Sequence, residues 1–127
     1  MCILLVEDEF LIRLTFAEEL AEAGYEVRAA ESGDRASVLI EMEADAFSLL
    51  VTDIHMPGDV DGIEVARQLR ERHPDIPVIY MTGRPDALSG AAECFGDRDV
   101  LMAKPFAPSK LLAVVHQLLG SCGSDGG

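Results

Sequence analysis

The amino-acid sequence predicts an α/β fold, in which short parallel strands alternate with helices around one open sheet. The chain has 127 residues, 49% of them apolar, which is enough for the core of one ordinary domain. Apolar runs of strand length alternate with segments of helical periodicity along the chain, a pattern typical of βαβ units. Several of these runs end in charged or hydroxyl-bearing residues, as expected where parallel strands deliver side chains to a ligand crevice.

The N-terminal half contains three predicted strands and two predicted helices. The strands cover residues 2–6, 25–30 and 47–52, and the first helix covers residues 9–23. Gly24 is predicted to end that helix, because glycine is favoured at the C′ position. Ser32 is predicted to cap a second helix that reaches about residue 44. Asp34 is predicted to be favourable in the first turn of this helix, since a negative charge there complements the helix dipole.

The C-terminal half continues the alternation after a loop of turn-forming residues at 55–62. Strands are predicted over residues 76–81 and 100–103, and helices over residues 63–72, 86–95 and 109–119. On the third helix, four residues are predicted to lie on one side: Ile63, Ala66, Leu69 and Arg70. The fifth is predicted to bury its apolar side chains, which are Leu111, Leu112, Val115, Leu118 and Leu119.

Charge and composition limit the classes of partner. The formal net charge is −13, and the only lysines are Lys104 and Lys110, so binding to a nucleic-acid backbone is not expected. No apolar run is long enough to span a bilayer, and no secretory signal is apparent. The three cysteines, an odd number without metal-ligand spacing, favour a reducing cytoplasm. Protein partners in the cytoplasm are therefore predicted.

The domain organisation is predicted to be simple. Residues 1–120 form one domain, and residues 121–127 form a flexible tail rich in glycine and serine. There is no internal repeat, and no second domain is expected within the chain.

Asp53 follows a buried strand, and polar side chains at the ends of three other strands are expected to converge on it. Glu7 and Asp8 follow the first strand, Thr82 follows the fourth, and Lys104 follows the fifth. The carboxyl ends of parallel strands meet at one edge of a sheet, where ligands bind. Carboxylates, a hydroxyl and an ammonium would therefore meet there. This set suits an aspartate that accepts a phosphoryl group with a divalent metal beside it.

Each of these residues also has an ordinary interpretation. The acids after the first strand could simply complement a helix dipole, Asp53 could be a turn residue, and Lys104 could be a surface lysine. Three clustered carboxylates, however, would repel each other unless a cation lay among them. The Lys104–Pro105 bond precedes a proline and can be cis, which would aim the lysine side chain. The combination favours a functional site.

At these residues the chain resembles the receiver domain of two-component response regulators, of the stand-alone chemotaxis-receiver type. The matching stretches are LLVEDE (4–9), LLVTDIHMPG (49–58), DG (61–62), PVIYMTG (77–83) and KPF (104–106). The resemblance covers roughly residues 2–120. It implies a flavodoxin-like fold, with a five-stranded parallel sheet in the order 2-1-3-4-5 and helices on both faces.

The resemblance also implies a role for each site residue. Asp53 would accept the phosphoryl group. Mg²⁺ would be held by Glu7, Asp8, the Asp53 carboxylate and the backbone carbonyl of His55. Thr82 and Lys104 would contact the phosphoryl oxygens. The chain would carry out only Mg²⁺-dependent self-phosphorylation and autodephosphorylation, and would not otherwise be an enzyme.

The implied output is a switch between inactive and active conformations. Its readout involves Thr82, Leu101 and Pro105 and the face formed by the fourth helix, the fifth strand and the fifth helix. The implied partners are a histidine kinase or histidine phosphotransfer protein and a downstream protein or output domain. A phosphorylation-dependent homodimer is a further option.

Three features depart from the commonest family pattern. Leu101 stands where the family often has an aromatic switch residue. The loop between Pro57 and Asp61 is one residue longer than usual. His55 and Arg84 lie two positions after Asp53 and Thr82 and are predicted to alter water access, and hence the phosphoryl lifetime.

Other functions remain open from the sequence. A phosphatase with an aspartyl-phosphate intermediate would want a second acid at position 55, where the chain has histidine. A flavin-binding protein of this fold would want a phosphate loop where Glu7 and Asp8 stand. The main alternative is a pseudo-receiver, which would act as a phosphorylation-independent interaction domain.

Overall fold

A computed structural model of the chain describes residues 1–56, 58–83 and 98–120. Its centre is a parallel sheet of five strands in the order β2-β1-β3-β4-β5. The strands are β1 (Cys2–Val6), β2 (Glu26–Ala30), β3 (Phe47–Asp53), β4 (Val78–Thr82) and β5 (Asp99–Ala103). The α/β class and the flavodoxin-like strand order are both confirmed.

Four helices lie within the described residues. They are α1 (Phe10–Glu22), α2 (Gly33–Glu43), α3 (Gly62–Arg72) and α4 (Pro108–Val115). A short 3₁₀ turn (Ala44–Ala46) follows α2, and a π-helical turn (His116–Gly120) follows α4. None of these helices is long and apolar enough to cross a membrane. The helix predicted over residues 86–95, the tail at 121–127, Pro57 and Arg84 all lie outside the described residues.

The sheet separates two apolar layers, because successive residues of a strand point to opposite faces. On β1, Leu4 and Val6 belong to the layer that packs against α2 and α3. Ile3 and Leu5 belong to the layer on the other face, which includes residues of α1 and α4. β1 and β3 are buried along nearly their whole length, as expected for central strands covered on both sides. This sandwich holds the strand ends rigidly in register.

Helix ends follow the predicted chemistry. The Ser32 hydroxyl accepts a hydrogen bond from the Arg35 N–H at 3.1 Å, and Asp61 caps α3 by accepting from the Glu64 N–H at 2.9 Å. Gly24 has a φ of 102°, a left-handed conformation that glycine adopts without strain. The predicted cap at Ser32 and the stop at Gly24 are confirmed.

The structure corrects several predicted boundaries. Strand four begins at Val78 rather than residue 76, because the Ile76 N–H bonds back to the His73 carbonyl at 3.2 Å and closes a turn there. Proline at position 77 has no N–H to offer the sheet ladder. Strand three includes Asp53 itself, which pairs with Met81. The other strand and helix ends in the described residues lie at the predicted position or one residue from it, except that the regular α-helix of the C-terminal segment stops at Val115.

The structure shows which side chains of two predicted helices are buried. On α3, Val65 is fully buried with Ala66 and Leu69, whereas Ile63 and Arg70 are only partly buried. Arg70 is held at the edge of the core because its guanidinium donates to the Ile76 carbonyl at 2.8 Å. In the C-terminal segment three of the five predicted side chains are fully buried, namely Leu111, Val115 and Leu119, while Leu112 and Leu118 are partly buried.

Candidate functional site

The carboxyl ends of the strands bring the predicted site residues to one edge of the sheet. Asp53 is the last residue of β3 and Thr82 the last of β4, and both are buried. Glu7 directly follows β1, and Lys104 directly follows β5, where its N–H donates to the Thr82 carbonyl at 2.7 Å. Parallel pairing of these strands therefore places the acids, Thr82 and Lys104 at adjacent strand ends.

Lys104 bridges two carboxylates. Its Nζ lies 2.7 Å from Oε1 of Glu7 and 2.7 Å from Oδ1 of Asp53. The Glu7 side chain is fully buried, whereas 21% of the Lys104 side chain is exposed. A buried carboxylate needs a partner charge and hydrogen bonds to remain ionised. The Lys104 ammonium thus contacts both carboxylates, while part of its side chain is exposed to solvent.

Glu7, Asp8 and Asp53 form an acidic cluster in which one ligand oxygen from each residue lies within 4.8 Å of the others. Asp8 is exposed, whereas the other two are buried. Oδ2 of Asp53 is buried and has no hydrogen-bond donor among the described residues. Carboxylate oxygens are the ligands that Mg²⁺ prefers. The donor set and the unpartnered oxygen both fit a hard divalent cation.

The surroundings shift the pKa values of the two buried acids, Asp53 and Glu7, in opposite directions. Burial raises the pKa of Asp53 to about 8, the adjacent Glu7 carboxylate adds to this rise, and the Lys104 ammonium opposes it. Burial acts in the same direction on Glu7, but hydrogen bonds with Asp53 and Lys104 outweigh it, so the Glu7 pKa is lowered. Without a metal, these surroundings therefore disfavour ionisation of Asp53. A bound cation would favour the ionised form of its carboxylate.

Two residues that sequence reasoning missed support this cluster. Arg13 donates from Nη1 to the Glu7 carbonyl at 2.9 Å. Gly62 is packed so closely that a Cβ atom there would lie 1.9 Å from the Asp53 carbonyl oxygen. The available signals were that Arg13 is the one basic residue of α1 and that Gly62 begins a helix after a turn-rich loop. Neither signal specifies a contact until the fold is known.

The remaining predicted site residues in the described part of the chain are exposed. His55 is exposed and follows the buried Ile54, so its imidazole lies outside the core. Leu101 is 39% exposed on β5, at one edge of the described sheet. The Lys104–Pro105 peptide is cis. His55, Leu101 and Pro105 are thus at the surface, whereas Glu7 and Asp53 are buried.

An apolar surface adjoins the lysine side of the site. Phe10 and Leu11, in the first turn of α1, are 62% and 72% exposed, and Leu14 is exposed as well. Beside them lies a groove of about 280 Å³. Its lining consists of Leu11, Ile12, Thr15, Phe16, Lys104, Pro105, Phe106 and Pro108. An exposed apolar patch of this kind marks an interaction surface more often than chance.

Comparison with known proteins gives a consistent result. A family model described as the response regulator receiver domain matches residues 3–116. The response regulator MprA of Mycolicibacterium vanbaalenii is 35% identical over 125 residues, which are 98% of this chain and 53% of MprA. The chain spans about half the length of the curated relatives it matches.

Solved structures agree with the sequence comparison. A response regulator receiver protein from Sinorhizobium medicae has a TM-score of 0.84 and 37% identity, with 94% of each chain covered. The receiver domain of the hybrid histidine kinase CckA has a TM-score of 0.79 and 30% identity, covering 94% of this chain and 99% of that domain.

Proposed function

The chain belongs to the response regulator receiver domain family, and from this premise we propose that it is a phosphorylation switch with Asp53 as phosphoacceptor. As a receiver domain it is a signalling module of two-component systems rather than a classical enzyme. One observation carries the assignment of Asp53. Its buried Oδ2 has no hydrogen-bond partner in the described part of the chain, while its Oδ1 is paired with Lys104 beside a second buried acid.

The proposed reaction is transfer of a phosphoryl group to a carboxylate. An oxygen of ionised Asp53 attacks phosphorus and forms a P–O bond, while the bond between phosphorus and the donor breaks and the donor keeps the electron pair. With phosphohistidine as donor, the leaving group is the imidazole nitrogen. Attack requires Asp53 to be unprotonated, and its raised pKa makes proton loss part of activation.

Mg²⁺ is the proposed cofactor. Receiver domains bind this ion in an acidic pocket, and in this chain Glu7, Asp8 and Asp53 would hold it, together with the His55 carbonyl implied by the family pattern. When bound, it would neutralise the acids so that an anionic donor can approach. Lys104 would remain free to exchange a carboxylate partner for a phosphoryl oxygen.

Thr82 and Lys104 are proposed to bind the phosphoryl group and start the conformational response. Both adjoin Asp53 at neighbouring strand ends, and the Thr82 carbonyl is bonded to the Lys104 N–H. A change at either residue is therefore transmitted to the β4 and β5 ends. Leu101 and Pro105, on the β5 side of the site, would report that change at the surface.

A sensor histidine kinase or histidine phosphotransfer protein is the proposed phosphodonor. Such a donor must bring its phosphohistidine to Asp53, so its docking surface must adjoin the site. The exposed apolar turn of α1 and the groove beside Lys104 meet this requirement. Downstream, we propose a protein partner or output domain, and a phosphorylation-dependent homodimer is one form this readout could take. The setting expected for these partners is the cytoplasm.

Intact mass measurement after incubation with acetyl phosphate tests the proposal. One phosphoryl adduct should form with Mg²⁺ and be absent without it. The matched control is Asp53→Asn, which keeps the size of the side chain and removes the nucleophile. Mg²⁺-dependent labelling that persists in Asp53→Asn would contradict the assignment of Asp53. No adduct on folded wild-type protein with metal present would favour the pseudo-receiver instead.

A further inference from the structure

The loop segment at residues 58–61 rests on the first turn of α2. A Cβ atom at Gly33 would lie 2.0 Å from the Val60 carbonyl oxygen and 2.9 Å from the Val60 Cβ. Gly58 has a φ of 103°, and a Cβ atom added at this position would lie 3.4 Å from Oδ2 of Asp34. The two contacts hold this segment against two consecutive residues of the helix.

The residue that follows the segment is bonded to the chain just after the end of β3. Gly62, two residues after Val60, lies directly against the Asp53 carbonyl, and its N–H donates to the Ile54 carbonyl at 2.9 Å. The Ile54 N–H in turn donates to the Met81 carbonyl at 3.0 Å. A displacement of Val60 would therefore shift the backbone of Asp53 and Ile54. The His55 carbonyl, which belongs to the following peptide, would shift as well.

We infer that Gly33 is a positioning residue for the metal and phosphoacceptor site, acting through its backbone contact with Val60. The inference rests on the proposed function. Gly33 is buried and its φ is ordinary, so the absence of a side chain, rather than backbone freedom, is what the position requires. The obstructing atoms are backbone atoms of Val60, which cannot rotate away as a flexible side chain would.

The longer loop gives this contact a specific purpose in this chain. The loop before Asp61 has one residue more than the common family spacing, and this extra residue must be accommodated in the fold. Val60 is partly buried against the apolar layer that contains Ala36 and Ile40 of α2. The approach at Gly33 allows Val60 to reach that layer while Gly62 keeps its place on Asp53. Closure of the loop on α2 is thereby linked to the geometry of the site.

Calorimetric titration with Mg²⁺ tests the inference without any phosphodonor. Gly33→Ala should weaken Mg²⁺ binding about tenfold, as expected when a residue supporting metal ligands is displaced. Amide exchange at Gly62 should also become faster, since its bond to the Ile54 carbonyl loosens. The matched control is Gly24→Ala, which lies at the opposite end of the strands with no atom within 4 Å of the added Cβ. It should leave both values unchanged.

A second variant covers the case in which Gly33→Ala does not fold. Val60→Ala removes packing on the same loop without adding bulk, and it should shift Mg²⁺ affinity and Gly62 exchange in the same directions. Folded Gly33→Ala or Val60→Ala with wild-type affinity and exchange would overturn the positioning role alone. Wild-type protein that binds no Mg²⁺ would overturn the proposed function and the positioning role with it.

Discussion

Asp53 shows how the fold changes the chemistry of one carboxyl group. In an unfolded chain this group ionises near pH 3.8, but in the folded protein burial, helped by Glu7, raises its pKa to about 8. Lys104 limits this rise, and it also keeps Glu7 ionised. The proposed phosphoacceptor is therefore the acid whose ionisation the metal-free site disfavours. Under the proposed function, cation binding would favour the ionised carboxylate that phosphorylation requires.

The free energy of unfolding of the metal-free protein should depend on pH through Asp53. Between pH 4 and about 8 the folded state binds more protons at this residue than the unfolded state, so its contribution falls as pH rises. Asp53→Asn should remove this dependence and be more stable at pH 8 by roughly 1–3 kcal/mol, since a buried carboxylate is no longer formed.

Urea denaturation in EDTA at pH 6 and pH 8 measures this effect. Other titrating groups are common to both proteins and cancel in the difference between wild type and Asp53→Asn. A difference that is the same at both pH values would show that Asp53 does not carry the raised pKa. Added Mg²⁺ should stabilise the wild type more at pH 8 than at pH 6. At pH 8 a smaller fraction of Asp53 is protonated, so Mg²⁺ binding has to release fewer protons.

At the scale of elements, close backbone approaches connect the helices to the site. Gly62 begins α3 and lies against the Asp53 carbonyl, while Arg13 of α1 donates to the Glu7 carbonyl. These contacts hold the strand ends in addition to the sheet ladder. The edge strand β5 is different, since Leu101 is exposed there. We therefore expect backbone shifts, rather than an aromatic side chain, to carry the switch at that edge.

Gly62→Ala should disable the site and Gly24→Ala should not. At Gly62 the new Cβ would overlap the Asp53 carbonyl at 1.9 Å, so the backbone must move, at a cost of about 2 kcal/mol in unfolding free energy. At Gly24 the positive φ alone costs about 1 kcal/mol. The adduct rate with acetyl phosphate and Mg²⁺ should fall only for Gly62→Ala. Equal rates in both variants would contradict a role for Gly62 in the site.

At the scale of the whole molecule, charge and surface decide how the switch meets other molecules. The formal net charge is −13, so negative charges within the folded protein repel one another. Its exposed apolar side chains include the group on α1 next to the site, Phe10, Leu11 and Leu14. An apolar patch in acidic surroundings favours a protein partner that docks on it.

Leu11→Ser should separate docking from chemistry. Leu11 is 72% exposed, so the change should leave folding and labelling by acetyl phosphate unchanged. Phosphotransfer from a histidine kinase or phosphotransfer protein that labels the wild type should slow about tenfold, as for a contact near an interface centre. Val38→Ser on α2, also exposed, is the control and should transfer normally. Equal transfer by both variants would place the donor elsewhere.

Monovalent salt should stabilise the protein. Screening reduces repulsion among the excess acids, and we expect the free energy of unfolding to rise by about 1 kcal/mol between low and physiological ionic strength. The measurement is urea denaturation at several KCl concentrations with EDTA, which excludes the divalent site. A fall in stability would mean that ion pairs such as Arg28–Glu43 and Arg67–Glu71 outweigh the repulsion.

Local patterns in the sequence determined much of this protein. The apolar runs specify the strands, Ser32 and Gly24 mark helix ends, and the polar residues after each strand identify Asp53, Glu7, Thr82 and Lys104. These features can be read locally because strand period, capping and chain connectivity each depend on residues close together in the sequence. The family motifs added the strand order, which the structure confirms.

The tertiary structure alone decided which groups touch and how their chemistry changes. The 2.7 Å contacts of Lys104, the raised pKa of Asp53 and the approach of Gly33 to Val60 join residues far apart in the chain. Burial and electrostatic coupling depend on distances that no local pattern contains. The sequence thus determined the parts of the switch, while packing of the helices against the sheet determined their spacing and acidity.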